Sequence, residues 1–162
     1  NTNKQIGFSK LLSKGNNFTV VTYSLSTIEI LALTKELNKN NVYFDHIDLQ
    51  TIKPLDLNLV KKSLKKTKKL LVLDTISHPI CSIGSEILSQ IFLDKNIKLS
   101  KAPLLLTLPD VPAPTSTFYT KDYYISKEDI LKNIENLINK KINVKTKNII
   151  HDVPDSKFKG PF

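Results

Sequence analysis

One short segment, SHPIC, places a histidine and a cysteine three residues apart. His78 and Cys81 could form a nucleophile with its general base, or half of a tetrahedral metal site. No second histidine or cysteine cluster completes a metal site, and Pro79 lies between the two residues. We therefore expect a histidine in a turn and a buried cysteine rather than a reactive pair.

A second segment, HIDLQTIKPLD at residues 46–56, carries two carboxylates that could serve as acid or base. Catalysis by Asp48 or Asp56 would need a second titratable residue as a partner, and none stands at a sequence spacing that indicates such a pair. Pro54 fixes its own backbone φ angle. Asp56 then stands where a helix would begin, and its carboxylate can accept hydrogen bonds from the N–H groups of the first turn. The pattern predicts a joint between a strand and a helix.

Phosphate-binding loops are absent from the sequence. Its four glycines form neither a GxGxxG nor a GxxxxGK[ST] motif, and the sequence contains no GxSxG nucleophile elbow. The hydroxyl-rich segment YSLST at residues 23–27 could bind an anion where a helix starts, but we expect it to cap that helix. On these residues alone we expect no catalytic, cofactor-binding or metal-binding site.

Length and composition are those of one globular domain. The chain has 162 residues, 40% of them hydrophobic and 24% charged. No apolar run is long enough to cross a bilayer, and residues 1–10 lack the apolar segment of a signal peptide. The single cysteine favours the cytoplasm or an equivalent reducing compartment. Because methionine is absent, we expect the chain to be a piece of a longer protein.

The net charge of +9 arises from lysine alone, because arginine is absent. Base readout and bidentate phosphate binding favour arginine, and the lysines here are spread over several segments. We therefore expect no nucleic-acid partner.

Strand-like and helix-like segments alternate along the chain. The predicted strands are residues 5–12, 18–24, 41–49, 69–75 and 102–108. The predicted helices are residues 26–40, a segment beginning at Pro54, residues 81–94 and residues 126–140. This order predicts a three-layer α/β/α domain with a mixed five-stranded sheet and helices on both faces.

Three details of this domain are also predicted. The turn KGNN joins the first two strands tightly, so the first strand should run antiparallel to the second. Ser126 and Asp129 have the spacing of a capping box. We expect residues 1–140 to form the domain and residues 141–162 a tail. The buried face of helix 26–40 is predicted to consist of Ile28, Leu31, Ala32, Leu33 and Leu37.

Motifs in this order resemble the C-terminal domain of the transketolase superfamily. The best match is the beta subunit of the first component of pyruvate or branched-chain 2-oxo acid dehydrogenase complexes, over roughly residues 6–138. The motifs are Gly15 before the second strand, Ile47-Asp48-Leu49, Lys53-Pro54-Leu55-Asp56, Gly84 with Glu86, and Asp110-Val111-Pro112-x-Pro114. Their order and spacing, more than any single motif, carry the resemblance.

The resemblance implies a supporting role in a larger enzyme. In that family thiamine diphosphate is bound outside this domain, a 2-oxo acid is decarboxylated and the acyl group passes to a lipoyl arm. The C-terminal domain forms the homodimer interface beside an alpha subunit and helps hold the dihydrolipoyl acyltransferase component. The interface residues that we predict are Gly84, Glu86, Pro109, Asp110, Val111, Pro112, Pro114 and Tyr119.

Two other functions remain open from the sequence. Transketolase and deoxyxylulose phosphate synthase share this domain, although the absence of arginine disfavours their phosphate-bearing substrates. The chain could also be a stand-alone interaction module that binds a partner protein or a polyanion through lysine. Departures from the family pattern at Gln50, Asp74-Thr75 and Cys81-Ser82 leave the parent's substrate undefined.

Overall fold

The computed structural model describes residues 6–144, which form a five-stranded sheet between two layers of helices. The strands are β1 (Lys10–Ser13), β2 (Thr19–Thr22), β3 (Asp45–Asp48), β4 (Leu70–Asp74) and β5 (Leu104–Thr107). The helices are α1 (Leu25–Lys39), α2 (Asn58–Thr67), α3 (Ile83–Leu93), α4 (Thr117–Tyr123) and α5 (Lys127–Ile138). The sheet order is β1-β3-β2-β4-β5, with only β1 antiparallel to its neighbour. The predicted mixed sheet with an antiparallel first strand is confirmed.

The first strand runs antiparallel to the second as predicted, but the two strands are not neighbours, because β3 lies between them. β1 pairs with β3, and the connection from β1 to β2 crosses the start of β3. Gly15 makes this crossing possible: a Cβ there would lie 2.0 Å from the Phe44 nitrogen. Asn17 fixes the crossing by donating from its backbone nitrogen to the Tyr43 carbonyl at 2.9 Å.

Each face of the sheet carries its own apolar core. On one face α1 and α5 cover β2, β4 and β5, and Phe18 stacks on Phe44 with ring centroids 4.9 Å apart. On the other face α2 and α3 cover the sheet through Val60, Leu64 and Ile87. All five residues of β4 are buried, as expected for a central strand covered on both faces. The predicted three-layer arrangement is therefore confirmed.

Helix α1 buries a different face from the one predicted. Leu33 and Leu37 are buried as expected, but the helix also buries Ser26, Thr27, Glu29 and Ile30. Ile28, Leu31 and Ala32 are exposed. The prediction failed because α1 has apolar residues on two faces, so the apolar period did not identify the buried one.

The connection after β5 contains a helix that was not predicted. Residues after the proline-rich segment form the seven-residue helix α4, which begins after the N-cap Ser116. The capping box of α5 is confirmed, since Ser126 Oγ accepts from Asp129 N–H and the Asp129 carboxylate accepts from Ser126 N–H. Of the predicted tail, residues 145–162 lie outside the described residues, whereas Ile142 and Val144 pack against the core.

A buried carboxylate joins three elements where β3 begins. Asp45 accepts hydrogen bonds from Gly15 N–H at 2.9 Å and Ser63 Oγ at 2.6 Å, and pairs with Lys66 at 2.8 Å. Burial raises the pKa of Asp45, but the bonds from Lys66, Ser63 and Gly15 outweigh that effect and lower it below its ordinary value. The β1–β2 connection and α2 are thus fastened to the same end of the sheet.

Candidate functional site at the carboxyl edge of the sheet

The parallel strands β2 to β5 all end at one edge of the sheet, which we call the carboxyl edge. Because β1 is antiparallel, its beginning lies at the same edge. In α/β sheets this edge is where loops gather and ligands commonly bind. The opposite edge, where the parallel strands begin, is called the amino edge.

One polar network at the carboxyl edge surrounds Asp48. Thr27 Oγ1 donates to its carboxylate at 3.1 Å and Gln50 Nε2 at 2.7 Å. Thr22 Oγ1 lies 2.9 Å from Thr27 Oγ1 and 2.8 Å from His46 Nε2. Burial lowers the pKa of His46 to about 4, although the nearby Asp48 raises it in part. His46 is thus held neutral inside the sheet, where it makes no contact with solvent.

A second network, centred on Asp74, joins three segments. The Tyr23 hydroxyl donates to Asp74 Oδ1 at 2.5 Å, and Gly84 N–H donates to Asp74 Oδ2 at 3.2 Å. Burial and the hydrogen bond to Asp74 raise the pKa of Tyr23 well above its ordinary value. Tyr23 therefore acts as a neutral donor that ties β2 to the end of β4. Sequence analysis missed this pair, because 51 residues separate its members and each side chain is unremarkable alone.

His78 and Cys81 have different surroundings in the structure. The His78 ring donates from Nδ1 to the Pro109 carbonyl at 2.6 Å and packs edge-on against Tyr123. This confirms a histidine that orders a turn. Cys81 is exposed, so its predicted burial is wrong. Within residues 6–144 no group of three or more His, Cys, Asp or Glu side chains could hold a metal ion.

Asp56 lies in the connection between β3 and α2 and holds the start of that helix, as the sequence predicted. Its Oδ1 accepts from Asn58 N–H at 3.0 Å, and its Oδ2 accepts from the backbone and hydroxyl of Ser9 at 2.9 and 2.8 Å. Burial raises the pKa of Asp56, but the bonds from Ser9 and Asn58 dominate and lower it below its ordinary value. The carboxylate links the start of α2 to the segment before β1.

The first turn of α1 is not capped as predicted. Ser24 occupies the N-cap position with φ of 56°, and its side chain makes no capping hydrogen bond. Ser26 Oγ instead donates to the Tyr23 carbonyl at 2.6 Å, while Thr27 is engaged with Asp48. The adjacent Asp48 carboxylate makes this helix start unfavourable for an anion.

Most of the exposed large apolar side chains of residues 6–144 gather near the carboxyl edge. Of fourteen such residues, only Tyr43, Phe92 and Leu93 lie towards the amino edge. Those on the connections after β4 and β5 are Ile76, Ile80, Val111, Phe118 and Tyr119. The two connections are joined by the His78–Pro109 bond and by Leu108 N–H donating to the Ser77 carbonyl at 2.9 Å. We call these two connections, one after β4 and one after β5, the β4–β5 loops; the second of them includes helix α4.

The predicted interface residues fall into three groups by exposure. Gly84 is buried, and a Cβ there would lie 2.4 Å from Leu105 Cδ1, so it serves the packing of α3 on the sheet. Pro114 is half-buried. Exposed residues are Glu86, Pro109, Asp110, Val111, Pro112 and Tyr119.

Lysine is concentrated at the amino edge. These residues follow β1, end α1 and α2, and flank β4, β5 and α5: Lys14, Lys39, Lys65, Lys66, Lys68, Lys69, Lys95, Lys98, Lys101, Lys140 and Lys141. Carboxylates at the carboxyl edge include Asp48, Asp56, Asp74, Asp110 and Asp122. Cations near helix C-termini favour the helix dipole, which accounts for part of this separation of charge.

Residues 7–130 match the protein family described as transketolase, C-terminal domain. The chain belongs to this family. The pyruvate dehydrogenase E1 component subunit beta of Cyanidium caldarium is 30% identical over 130 residues, which cover 80% of this chain and 39% of that protein. The mitochondrial subunit of the same name from Caenorhabditis elegans is 30% identical, covering 83% and 38% respectively.

A solved structure shares the fold of this transketolase C-terminal domain. It is a split-gene transketolase, an inactive beta4 tetramer, with a TM-score of 0.69 at 18% identity, covering 83% of this chain and 42% of that one. The chain spans about two fifths of the length of the curated relatives that it matches. None of the helices within residues 6–144 is long and apolar enough to cross a membrane.

Three of the positions at which we expected departures from the family pattern have structural roles in this chain. Gln50 has φ of 60° and holds Asp48, and Asp74 receives the Tyr23 and Gly84 bonds. Ser82 caps α3 by accepting from Ser85 N–H at 3.0 Å. These residues stabilise the loops of the carboxyl edge.

Proposed function

We propose that this chain is the C-terminal assembly domain of the beta subunit of a thiamine diphosphate-dependent 2-oxo acid dehydrogenase. Residues 1–140 form the domain and residues 141–162 its tail. The domain self-associates and, in the parent enzyme, contacts an alpha subunit and a dihydrolipoyl acyltransferase component. The parent decarboxylates a 2-oxo acid and transfers the acyl group to a lipoyl arm, in a reducing compartment such as the cytoplasm.

The exposed apolar side chains of the β4–β5 loops are the observation that carries this proposal. Val111, Phe118 and Tyr119 are 54%, 66% and 60% exposed, and the two loops are hydrogen-bonded to each other. Apolar and aromatic side chains grouped on an ordered surface and rimmed by polar residues are typical of a protein–protein interface. The beta-subunit relatives support the same role.

The polar groups of the carboxyl edge favour a structural role for this domain over a catalytic one. Asp48, Asp56 and Asp74 are each engaged by two or more donors from neighbouring segments. A diphosphate with its divalent cation needs several carboxylate ligands and N–H groups that converge on one site. Asp48, Asp56 and Asp74 belong to three separate hydrogen-bond networks, so we propose that thiamine diphosphate is bound elsewhere in the parent.

Self-association of the 162-residue chain is the first test. Sedimentation velocity over a concentration series should show self-association through the β4–β5 loops, which Phe118→Asp weakens by about tenfold or more because it places a charge in an apolar contact. Leu93→Asp is the matched control, since Leu93 is 78% exposed near the amino edge. A strict monomer at high concentration would count against the proposal.

Thiamine diphosphate binding is the second test. Calorimetric titration of the chain with thiamine diphosphate and magnesium should give no heat of binding. A saturable signal would place the cofactor in this domain and overturn that part of the proposal. The coding sequence upstream of Asn1 then separates the parent classes: one thiamine-binding domain favours the beta subunit, and two favour a transketolase.

A further inference from the structure

Helix α1 presents a second apolar face that nothing within residues 6–144 covers. Leu25, Ile28 and Leu31 are 48%, 63% and 45% exposed, and Ala32 is also exposed. Their spacing places them along one side of the first half of the helix, opposite the buried Ile30, Leu33 and Leu37. Lys35 is exposed and continues the same side one turn later. We call these five residues the outer stripe.

An acidic cleft borders the beginning of the outer stripe. Ile28 lines an open cleft together with Ser24, Thr27, Asp48, Gln50 and Ile6. Asp48 is half-buried and accepts hydrogen bonds from Thr27 and Gln50. A carboxylate has about four acceptor positions, so Asp48 can also accept from an approaching cation. The stripe therefore has a lysine towards one end and a carboxylate beside the other.

We propose that α1 pairs with α1 of a second copy of this chain, antiparallel about a two-fold axis. Ile28 then packs against the partner copy's Ala32, and Lys35 reaches the partner copy's Asp48. This surface is separate from the β4–β5 loops, so it is a self-association surface in addition to the one proposed above.

The stripe fits another copy of itself for reasons of charge and of shape. Lys35 lies ten residues after Leu25, or about 15 Å along the helix axis. In an antiparallel pair centred between Ile28 and Ala32, each Lys35 stands beside the start of the other α1, where the cleft opens. The small Ala32 side chain leaves room for Ile28, as close helix packing requires. A two-fold interface also needs each copy to supply both halves of every contact, and this stripe does so.

Disulfide cross-linking of the 162-residue chain tests the register. In a Cys81→Ser background, Ile28→Cys and Ala32→Cys chains that differ in a size tag are mixed and oxidised. The 28–32 disulfide should form in clear excess over the 28–28 and 32–32 disulfides. Leu93→Cys, a more exposed position on another helix, is the control and should give only collisional cross-links. Equal yields of all pairs would overturn the antiparallel pairing.

Charge coupling provides an independent readout. In a Phe118→Asp background, Lys35→Glu and Asp48→Asn should each raise the dissociation constant of the α1-paired dimer by about fivefold. The double variant should show no further loss of affinity. Additive effects would overturn the Lys35–Asp48 contact. In a Phe118→Asp background the 28–32 cross-link should persist. Loss of the 28–32 cross-link in the Phe118→Asp background would overturn the proposal of a separate α1 surface. If Phe118→Asp sediments as the wild type does, only the proposed contact of the β4–β5 loops is contradicted.

Discussion

At the scale of single residues, the carboxylates of this domain hold segments together. Asp56 could be predicted as a joint because proline and acid stand together just before a helical pattern. Its bond to Ser9 could not be predicted, since 47 residues separate the two. Cys81 was misjudged because the hydrophobicity of cysteine favours burial, whereas this one lies in a strained turn with φ of 55°. Local chemistry is thus readable from the sequence, and long-range pairing is not.

Glu29 is the residue whose removal should alter stability most clearly with pH. Desolvation by burial raises the pKa of Glu29 from 4.5 to about 7, with Lys127 opposing it in part, and Glu29 Oε2 has no hydrogen-bond partner. Between these values the folded chain keeps a proton that the unfolded chain loses, so stability falls as pH rises from about 4.5 to 7. Glu29→Gln should therefore gain about 1–2 kcal/mol relative to the wild type on going from pH 5 to pH 8, allowing for solvent screening.

Urea unfolding at the two pH values measures this difference. Glu36→Gln, on the same helix and half-buried, is the matched control for replacing a carboxylate by an amide. The same gain in both variants would contradict the role assigned to Glu29. Because the comparison is between pH values, any constant effect of the new amide cancels.

At the scale of elements, the sequence predicted five strands and four of the five helices. It missed α4 because seven residues after a run of prolines give too little periodicity to recognise. It misassigned the buried face of α1 because Ile28, Leu31 and Ala32 form one apolar face and Leu33 and Leu37 belong to another, and spacing alone does not show which face is buried. The sequence did not show that β3 lies between β1 and β2, since a short connection favours a hairpin. Here the connection instead crosses the start of β3.

Gly15→Ala tests the crossing that separates β1 from β2. The new Cβ would lie 2.0 Å from backbone atoms of Tyr43 and Phe44, which cannot move without breaking β3 pairing. We expect a loss of about 3 kcal/mol or more in the free energy of unfolding, measured by urea titration. Gly84→Ala is the control: its Cβ would clash only with the end of the Leu105 side chain and would lie at an ordinary contact distance of 3.5 Å from Asp74, so about 1 kcal/mol is expected. Equal losses would argue against a special role for the crossing.

At the scale of the whole molecule, the two edges of the sheet differ in chemistry. The carboxyl edge is apolar and acidic, and the amino edge is rich in lysine. The total charge is visible in the composition, but its separation is not, because lysines distant in sequence meet only when the parallel strands align. This separation gives the interaction-module alternative its one specific observation.

Heparin binding tests whether the amino edge acts as a polyanion site. Lysine clusters bind polyanions weakly and lose affinity steeply with salt. Lys65→Glu combined with Lys98→Glu should weaken binding to a heparin column, whereas Lys10→Glu combined with Lys53→Glu at the carboxyl edge should not. Elution at low salt by all variants alike would remove the polyanion alternative and leave self-association unaffected.

The antiparallel direction of β1 also determines how the domain would respond to mechanical tension. Ile6 lies at the carboxyl edge, whereas Asn143 lies at the amino edge, where its N–H donates to Asn40 Oδ1 at 3.2 Å. A force applied between these two points runs along the strands and loads the β1–β3 hydrogen bonds together in shear. Peeling the sheet apart one bond at a time would need both points of attachment at the same edge. Pulling between these two points should therefore meet more resistance than pulling on two points at the same edge.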